Sequence, residues 1–314
     1  MHPDIVFTLF GPAYVRFETL HVCGIANAWT THPNAYAYRT LSLRQRVQAR
    51  LGRIYRLHSL RHADAWVAEA EAARVALVRD LGFPADRVTT IPNSCADQYR
   101  SAPSDRGTLP NRTELNLLVL SAYYPHKHLE IVPHVAAALH RQRPELSFVF
   151  SLTLDVRAKP FQQIAMTATK LQVSEHVRSI GMLDIEQCPR AYADSDIVFL
   201  PTLLETNTAV YHEAMAMGIA IVTTNLDFAT SICRDSAVYF EPMNAESAAA
   251  AILRLVDSPS FRVACIDAGR AISDSMPTQS RRYEAYIRFL ESQFHRCRCN
   301  PHPSPAPGSG DRMP

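Results

Sequence analysis

Residues 196–224, DIVFLPTLLETNTAVYHEAMAMGIAIVTT, constrain the fold of this chain more than any other stretch. Asp196 to Pro201 is a short, mostly apolar run with adjacent Ile and Val, the composition of a parallel strand buried on both faces. A polar loop follows, Glu205-Thr206-Asn207-Thr208, rich in residues that cap helices. Ala209 to Met217 reads as helix on its good formers, Gly218 stands where a left-handed terminus is wanted, and Ile219 to Thr224 starts a second buried strand. The unit is strand, loop, helix, strand.

A ligand of an open parallel sheet binds outside the carboxyl ends of the strands, where this loop emerges. The first turn of the next helix offers unpaired N–H groups and a positive dipole end, which attract phosphate. Glu205 sits just before that helix and Glu213 inside it, so both are expected to face one crevice. A carboxylate there can accept hydrogen bonds from neighbouring sugar hydroxyls.

The string PTLLETNTAVYHEAMAMG resembles the signature of the family 4 glycosyltransferases of the GT-B fold, the group 1 glycosyltransferases. In that family a Pro-Ser-x-x-Glu segment leads to a second Glu in a Glu-Ala-Met-Ala helix; the first Glu falls on Glu205, the second on Glu213. Where the family commonly has Gly-Phe-Gly, this chain has Thr206, Asn207 and Thr208, whose side chains would replace backbone donors to the phosphate. The resemblance is close after Leu115 and loose before Asn93. It implies an α/β protein of two Rossmann-like, doubly wound parallel sheets, the N-terminal one incomplete.

The implied activity is transfer of a sugar from a nucleotide-diphosphate donor to a hydroxyl acceptor with retention, without cofactor or obligatory metal. Glu205 would steady positive charge at the anomeric carbon, Glu213 would meet the ribose, and Lys127 the diphosphate. Met182, after Gly181, would contact the base through its main chain. Gly11 and Trp29 are expected on the acceptor side, while His21 and His32 both fit the family's catalytic His poorly. Implied acceptors are saccharides or lipid-linked saccharides of surface polysaccharide. The alternative is a degenerate GT-B protein that binds nucleotide or a partner without transfer.

Elsewhere strands alternate with helices, the pattern of a parallel doubly wound sheet. The expected divisions are a partial N-terminal domain over 1–112, a nucleotide-sugar domain over 113–276, a helix over 277–298 that crosses back, and a disordered tail over 299–314. The resemblance implies that the chain enters the N-terminal domain partway, so the expectation is that either the true start lies upstream or the protein is a shortened, inactive form. Residues 28–38 have loop character.

From Arg39 to Arg61 the chain holds seven arginines and no acid, with Leu43, Val47, Leu51 and Ile54 at helical spacing and the arginines mostly on the other side. This suits either an anionic membrane surface or a solvated helix.

A net charge of +2 gives no nucleic-acid signal, and a 47% hydrophobic, 20% charged composition suits a soluble, cytoplasmic protein, peripheral on a membrane at most. Seven scattered cysteines lack zinc spacing and read as reduced thiols. His126, His128 and Glu130 are a weak metal constellation, and Asp194-Ser195-Asp196 reads as a helix-to-strand turn.

Overall fold

The computed structural model describes residues 3–100 and 114–299. It is built on two parallel sheets, of four and six strands. The first contains β1 (Ile5–Thr8), β2 (Leu20–Ile25), β3 (Ala65–Ala68) and β4 (Val88–Thr90). The second contains β5 (Leu115–Val119), β6 (Phe148–Leu152), β7 (Val177–Ser179), β8 (Ile197–Leu200), β9 (Ala220–Thr224) and β10 (Ala237–Phe240), in the spatial order β10-β9-β8-β5-β6-β7. All their pairings are parallel. That order is the doubly wound one, with its reversal between β5 and β8.

The expected αβ alternation is therefore present, and residues 197–200 show why. All four are buried. Ile197 and Phe199 join the core on one face, Val198 and Leu200 the core on the other. Phe199 lies 5.4 Å from Phe150 and 5.5 Å from Phe240, ring centre to ring centre. Each such burial contributes about 1.5–3 kcal/mol, which makes β8 a fixed platform for the loop it delivers. The Ala209–Ala216 helix then ends at Gly218, whose φ of 64° lies in the left-handed region.

The smaller sheet is also covered on both faces. On one, Leu57 and Leu60 of the Leu43–Leu60 helix and Leu77 pack over Trp66 and Val88. On the other, Tyr286, Phe289 and Leu290 of the Gln279–Cys299 helix lie over Val22, Ala65 and Val67. The last helix thus sits on the first sheet, and it runs through Cys299, which was expected in the tail. The rest of the expected tail, 300–314, lies outside the described residues, as do residues 101–113.

One local expectation fails, and two features go beyond the sequence reading. Residues 28–38, expected as loop, form two short helices, Ala28–Thr31 and Ala35–Arg39. The Asp227–Cys233 helix follows β9 where none was expected. Finally, Leu43, Val47, Leu51 and Ile54 face outward, while Arg46, Arg53 and Arg56 turn in. A guanidinium carries five donors, and here they meet the carbonyl oxygens of Thr30, Tyr38 and Leu41 and the hydroxyl of Thr30.

Candidate functional site

The loops that follow β5 and β8 leave the sheet side by side at its point of reversal. After β5 the chain enters a tight turn at Pro125–Lys127, and His128 adopts a left-handed φ of 51°. After β8 it runs through Pro201 and Thr202 into Leu203, whose N–H donates to His126 O at 2.7 Å. That bond fixes the two loops to each other. It brings the Lys127 ammonium onto the Glu205 carboxylate in an ion pair whose side chains are only 18% and 13% exposed. Thr202 Oγ1 donates to the same Glu205 oxygen at 3.0 Å. A cation and an anion therefore bridge the crevice at the switch between β5 and β8, in a setting where charge is weakly screened.

The wall opposite comes from the first sheet's side. Trp29 meets the His126 ring edge-on at 6.1 Å. Burial, then the neighbouring Lys127 charge, push the His126 pKa down to about 4, so this ring is neutral near pH 7. Leu203 and Leu204, both fully buried, pack with Ala37 and Trp29. Asn34 Nδ2 donates to Leu203 O at 2.8 Å.

Thr206 and Asn207 do not point freely into the crevice as expected. Thr206 Oγ1 donates to Ala26 O at 2.9 Å and Asn207 Nδ2 to Glu69 O at 3.0 Å, tying the donor-side loop to the loops after β2 and β3. Thr208 stands at the N-cap of the Ala209–Ala216 helix and makes no side-chain cap. The first-turn N–H groups of that helix are thus left without side-chain acceptors from Thr208.

Glu213 occupies a different compartment from Glu205. It borders a cavity of about 250 Å³ with Asn93, Cys95, His212, Gln279 and Arg282, where the two chain crossings between lobes lie together. Tyr192 donates to its Oε2 at 2.7 Å. Burial raises the Glu213 pKa, while hydrogen bonds from Tyr192 and Tyr99 oppose the rise.

His212 Nε2 bonds Asn207 Oδ1 at 2.7 Å. Since the Asn207 amide nitrogen already donates to Glu69 O, its oxygen accepts here, and His212 carries its proton on Nε2. Its Nδ1 is then a buried acceptor with no protein partner among the described residues, as the Nε of Arg282 is a buried donor with none. Burial lowers the His212 pKa to about 4. Arg282 also holds Glu69 at 3.0 Å.

Two expected residues stand apart. Met182 is 77% exposed beyond β7, the outermost strand and two strands away from β5. Gly11 serves packing: its N–H donates to Gly24 O at 2.8 Å, and a Cβ there would lie 1.9 Å from Cys23 Sγ. His21 is buried at the start of β2, bonded to Thr8 Oγ1 at 2.9 Å. His126, His128 and Glu130 diverge, with Glu130 taken by the Tyr123 hydroxyl. A larger cavity, of about 520 Å³, opens on one face of the second sheet. Two of its floor residues, Asn116 and Ser151, bond each other, and Arg178 donates to Ser151 Oγ.

Sequence reasoning missed Thr202, His212 and Arg282, and named His126 only as a weak metal ligand. His212 adjoins Glu213 and Thr202 lies three residues before Glu205, so the motif's neighbours carried that signal. Arg282 is far away in the chain and carried none.

Comparison with known proteins gives the context. The family described as "Glycosyl transferases group 1" matches residues 103–272, which include β5 to β10. Alpha-D-kanosaminyltransferase from Streptomyces kanamyceticus is 24% identical over 259 residues, covering 80% of this chain and 66% of its own. A TarM variant from S. aureus, crystallised with Fondaparinux, alpha-GlcNAc-glycerol and UDP, superposes with a TM-score of 0.66 at 16% identity, over 87% of this chain and 51% of that one. Anabaena Alr3699/HepE, in complex with UDP and glucose, gives 0.66 at 17%, over 87% and 72%.

The chain thus spans 66% of the length of the first of these relatives and about half of the TarM chain. The solved structures show the fold, which is GT-B with a smaller N-terminal sheet. With more than half of its length matched by the family, the chain belongs to the group 1 glycosyltransferases.

Proposed function

We propose that this protein moves a sugar from a nucleoside diphosphate donor to a hydroxyl of a saccharide or lipid-linked saccharide, with retention, on the cytoplasmic side of surface polysaccharide or glycolipid assembly. The observation that carries this reading is the Lys127–Glu205 pair across the switch between β5 and β8. A diphosphate at the start of the Ala209–Ala216 helix draws Lys127 from Glu205 onto its own oxygens. Glu205 is then released toward the sugar, keeping the Thr202 hydroxyl and free to accept hydrogen bonds from sugar hydroxyls in place of the ammonium. As the bond to the anomeric carbon breaks, Glu205 faces the positive charge developing there, and Lys127 with the helix end faces the negative charge on the leaving diphosphate. Lys127 and the helix end offset part of the charge on the leaving diphosphate in this reading.

The ribose belongs at the hinge cavity in this reading. A vicinal diol can donate to Glu213 and to His212 Nδ1 while accepting from Arg282 Nε, which satisfies the polar atoms left over there. Trp29, against His126, forms the acceptor-side wall.

One observation favours the degenerate reading: Thr206 and Asn207, which replace the Gly-Phe-Gly seen in the family, are spent on carbonyls of the smaller lobe. Calorimetry with UDP and GDP, run beside hydrolysis and transfer assays with UDP- and GDP-sugars, separates the two. Transfer is expected, with Glu205→Ala and Lys127→Ala each folded and losing roughly 10²–10³ in rate. Binding without turnover supports the degenerate reading. Absence of both, or full activity in either variant, overturns the proposed roles.

A further inference from the structure

The Leu43–Leu60 helix presents its apolar stripe to solvent. Leu43, Val47, Leu51, Ile54 and Tyr55 are 78, 56, 61, 66 and 57% exposed. Their spacing of three and four residues places them on one side of a rod roughly 27 Å long. A second apolar segment adjoins it: Leu9, Phe10, Tyr14 and Val15 are about half exposed or more, and Tyr14 stacks on Tyr55 with ring centres 5.3 Å apart and planes 7° from parallel. Residues 9–15 carry no charge. A contiguous apolar surface of this kind marks an interaction face.

What kind of face follows from the charges beside it. Between residues 39 and 61 there is no acid. Arg46, Arg53 and Arg56 are folded inward, whereas Arg44 and Arg50 remain exposed. An apolar stripe flanked only by cations suits a bilayer with anionic headgroups, the chains taking the stripe and the phosphates the guanidiniums. A protein partner would have to supply the acids that this helix lacks.

We propose that this face docks the protein on an anionic lipid surface, with the Leu43–Leu60 helix in the plane of the interface and the 9–15 loop inserted beside it. The docked helix is joined directly to the cleft. Arg53 Nε donates to Thr30 O at 3.2 Å and Arg56 Nε to Thr30 Oγ1 at 3.1 Å, next to Trp29. The membrane contact therefore orients the mouth of the crevice toward the lipid. The face lies outside the proposed donor site, so its test leaves the transferase reading untouched.

The test is co-sedimentation of the full chain with phosphatidylcholine vesicles, with and without phosphatidylglycerol, alongside Leu51→Glu/Ile54→Glu and Arg44→Gln/Arg50→Gln. Tryptophan fluorescence confirms that both variants fold. The wild type is expected to pellet with the phosphatidylglycerol vesicles and to be released by salt. The charge variant should lose roughly fivefold in partitioning per arginine. The apolar variant should stay in the supernatant. Equal or absent pelleting on both lipids overturns the proposal. So does a concentration-dependent dimer that Leu51→Glu/Ile54→Glu abolishes, which would make the stripe a contact between copies.

Discussion

The six-stranded sheet reverses its winding between β5 and β8, whereas the four strands of the smaller sheet lie in chain order, β1-β2-β3-β4. In the larger sheet the crossovers on either side of the reversal leave by opposite faces, so the loops after β5 and β8 flank the switch point, the place of the crevice in an open sheet, and are tied together there through Leu203 and His126. Lys127 and Glu205 stand on its two lips. The smaller sheet has no such parting among the described residues. Its loops close over the crevice instead, through Ala26, Trp29 and Glu69. One lobe makes the site by how it is wound, the other by what it lays across.

The largest effect that probes this contrast comes from the larger lobe's core. Phe199→Ala removes a fully buried ring from between Phe150 and Phe240 and should cost about 3–5 kcal/mol. Both tryptophans, Trp29 and Trp66, belong to the smaller lobe. If the lobes unfold separately, circular dichroism shows an early transition while tryptophan fluorescence keeps its own. Coincident shifts would break the contrast and make the two lobes one cooperative unit.

Acidification probes the seam between them. The His212 pKa falls from 6.5 in the unfolded chain to about 4 on folding, so the folded state resists taking the proton. Stability from this group is complete above about pH 6.5 and is lost as pH falls, by about 3 kcal/mol at pH 4. Denaturant midpoints should fall more steeply with acid in the wild type than in His212→Gln, whose amide can still donate to Asn207 and which keeps only the contribution of groups such as His126. An unchanged slope would place the pH sensitivity elsewhere.

Smaller still is the lock between the lobes. Asn207→Ala deletes its bonds to Glu69 and His212, at about 1–2 kcal/mol, and Thr206→Val deletes the one to Ala26, at about 1 kcal/mol. Both should widen the distribution of lobe separations in small-angle scattering and leave the chemical-shift pattern of the larger lobe's core unchanged. An unaltered distribution would mean that the remaining contacts, Leu203 and Leu204 with Asn34, Trp29 on His126 and the last helix on the first sheet, hold the lobes together.

Much of this architecture was legible because parallel strands buried on both faces leave a compositional mark, as at residues 197–200 and 220–224. The Gly218 terminus was legible for the same kind of reason, a local backbone requirement. The loop after β8 was less so. Its polar residues suggest caps and phosphate donors, yet Thr206 and Asn207 bond carbonyls 180 and 138 residues distant, which no local pattern encodes.

The basic helix shows the same limit. Its periodicity was correct, but which stripe faces the protein was decided by Arg53 and Arg56 meeting Thr30, a preference of tertiary context. The Asp227–Cys233 helix escaped notice because Thr230 and Ser231 bond backbone carbonyls within a short turn-like run, weak evidence for helix.

The Gln279–Cys299 helix has a consequence for the order in which the molecule is made. Val22, Ala65 and Val67 wait for Tyr286, Phe289 and Leu290, which leave the ribosome well over two hundred residues later. Of the two lobes, the one synthesised first is therefore the one completed last. In a nascent chain the larger lobe can close around its own strands, while the smaller one keeps an oily flank bare until translation reaches the last helix.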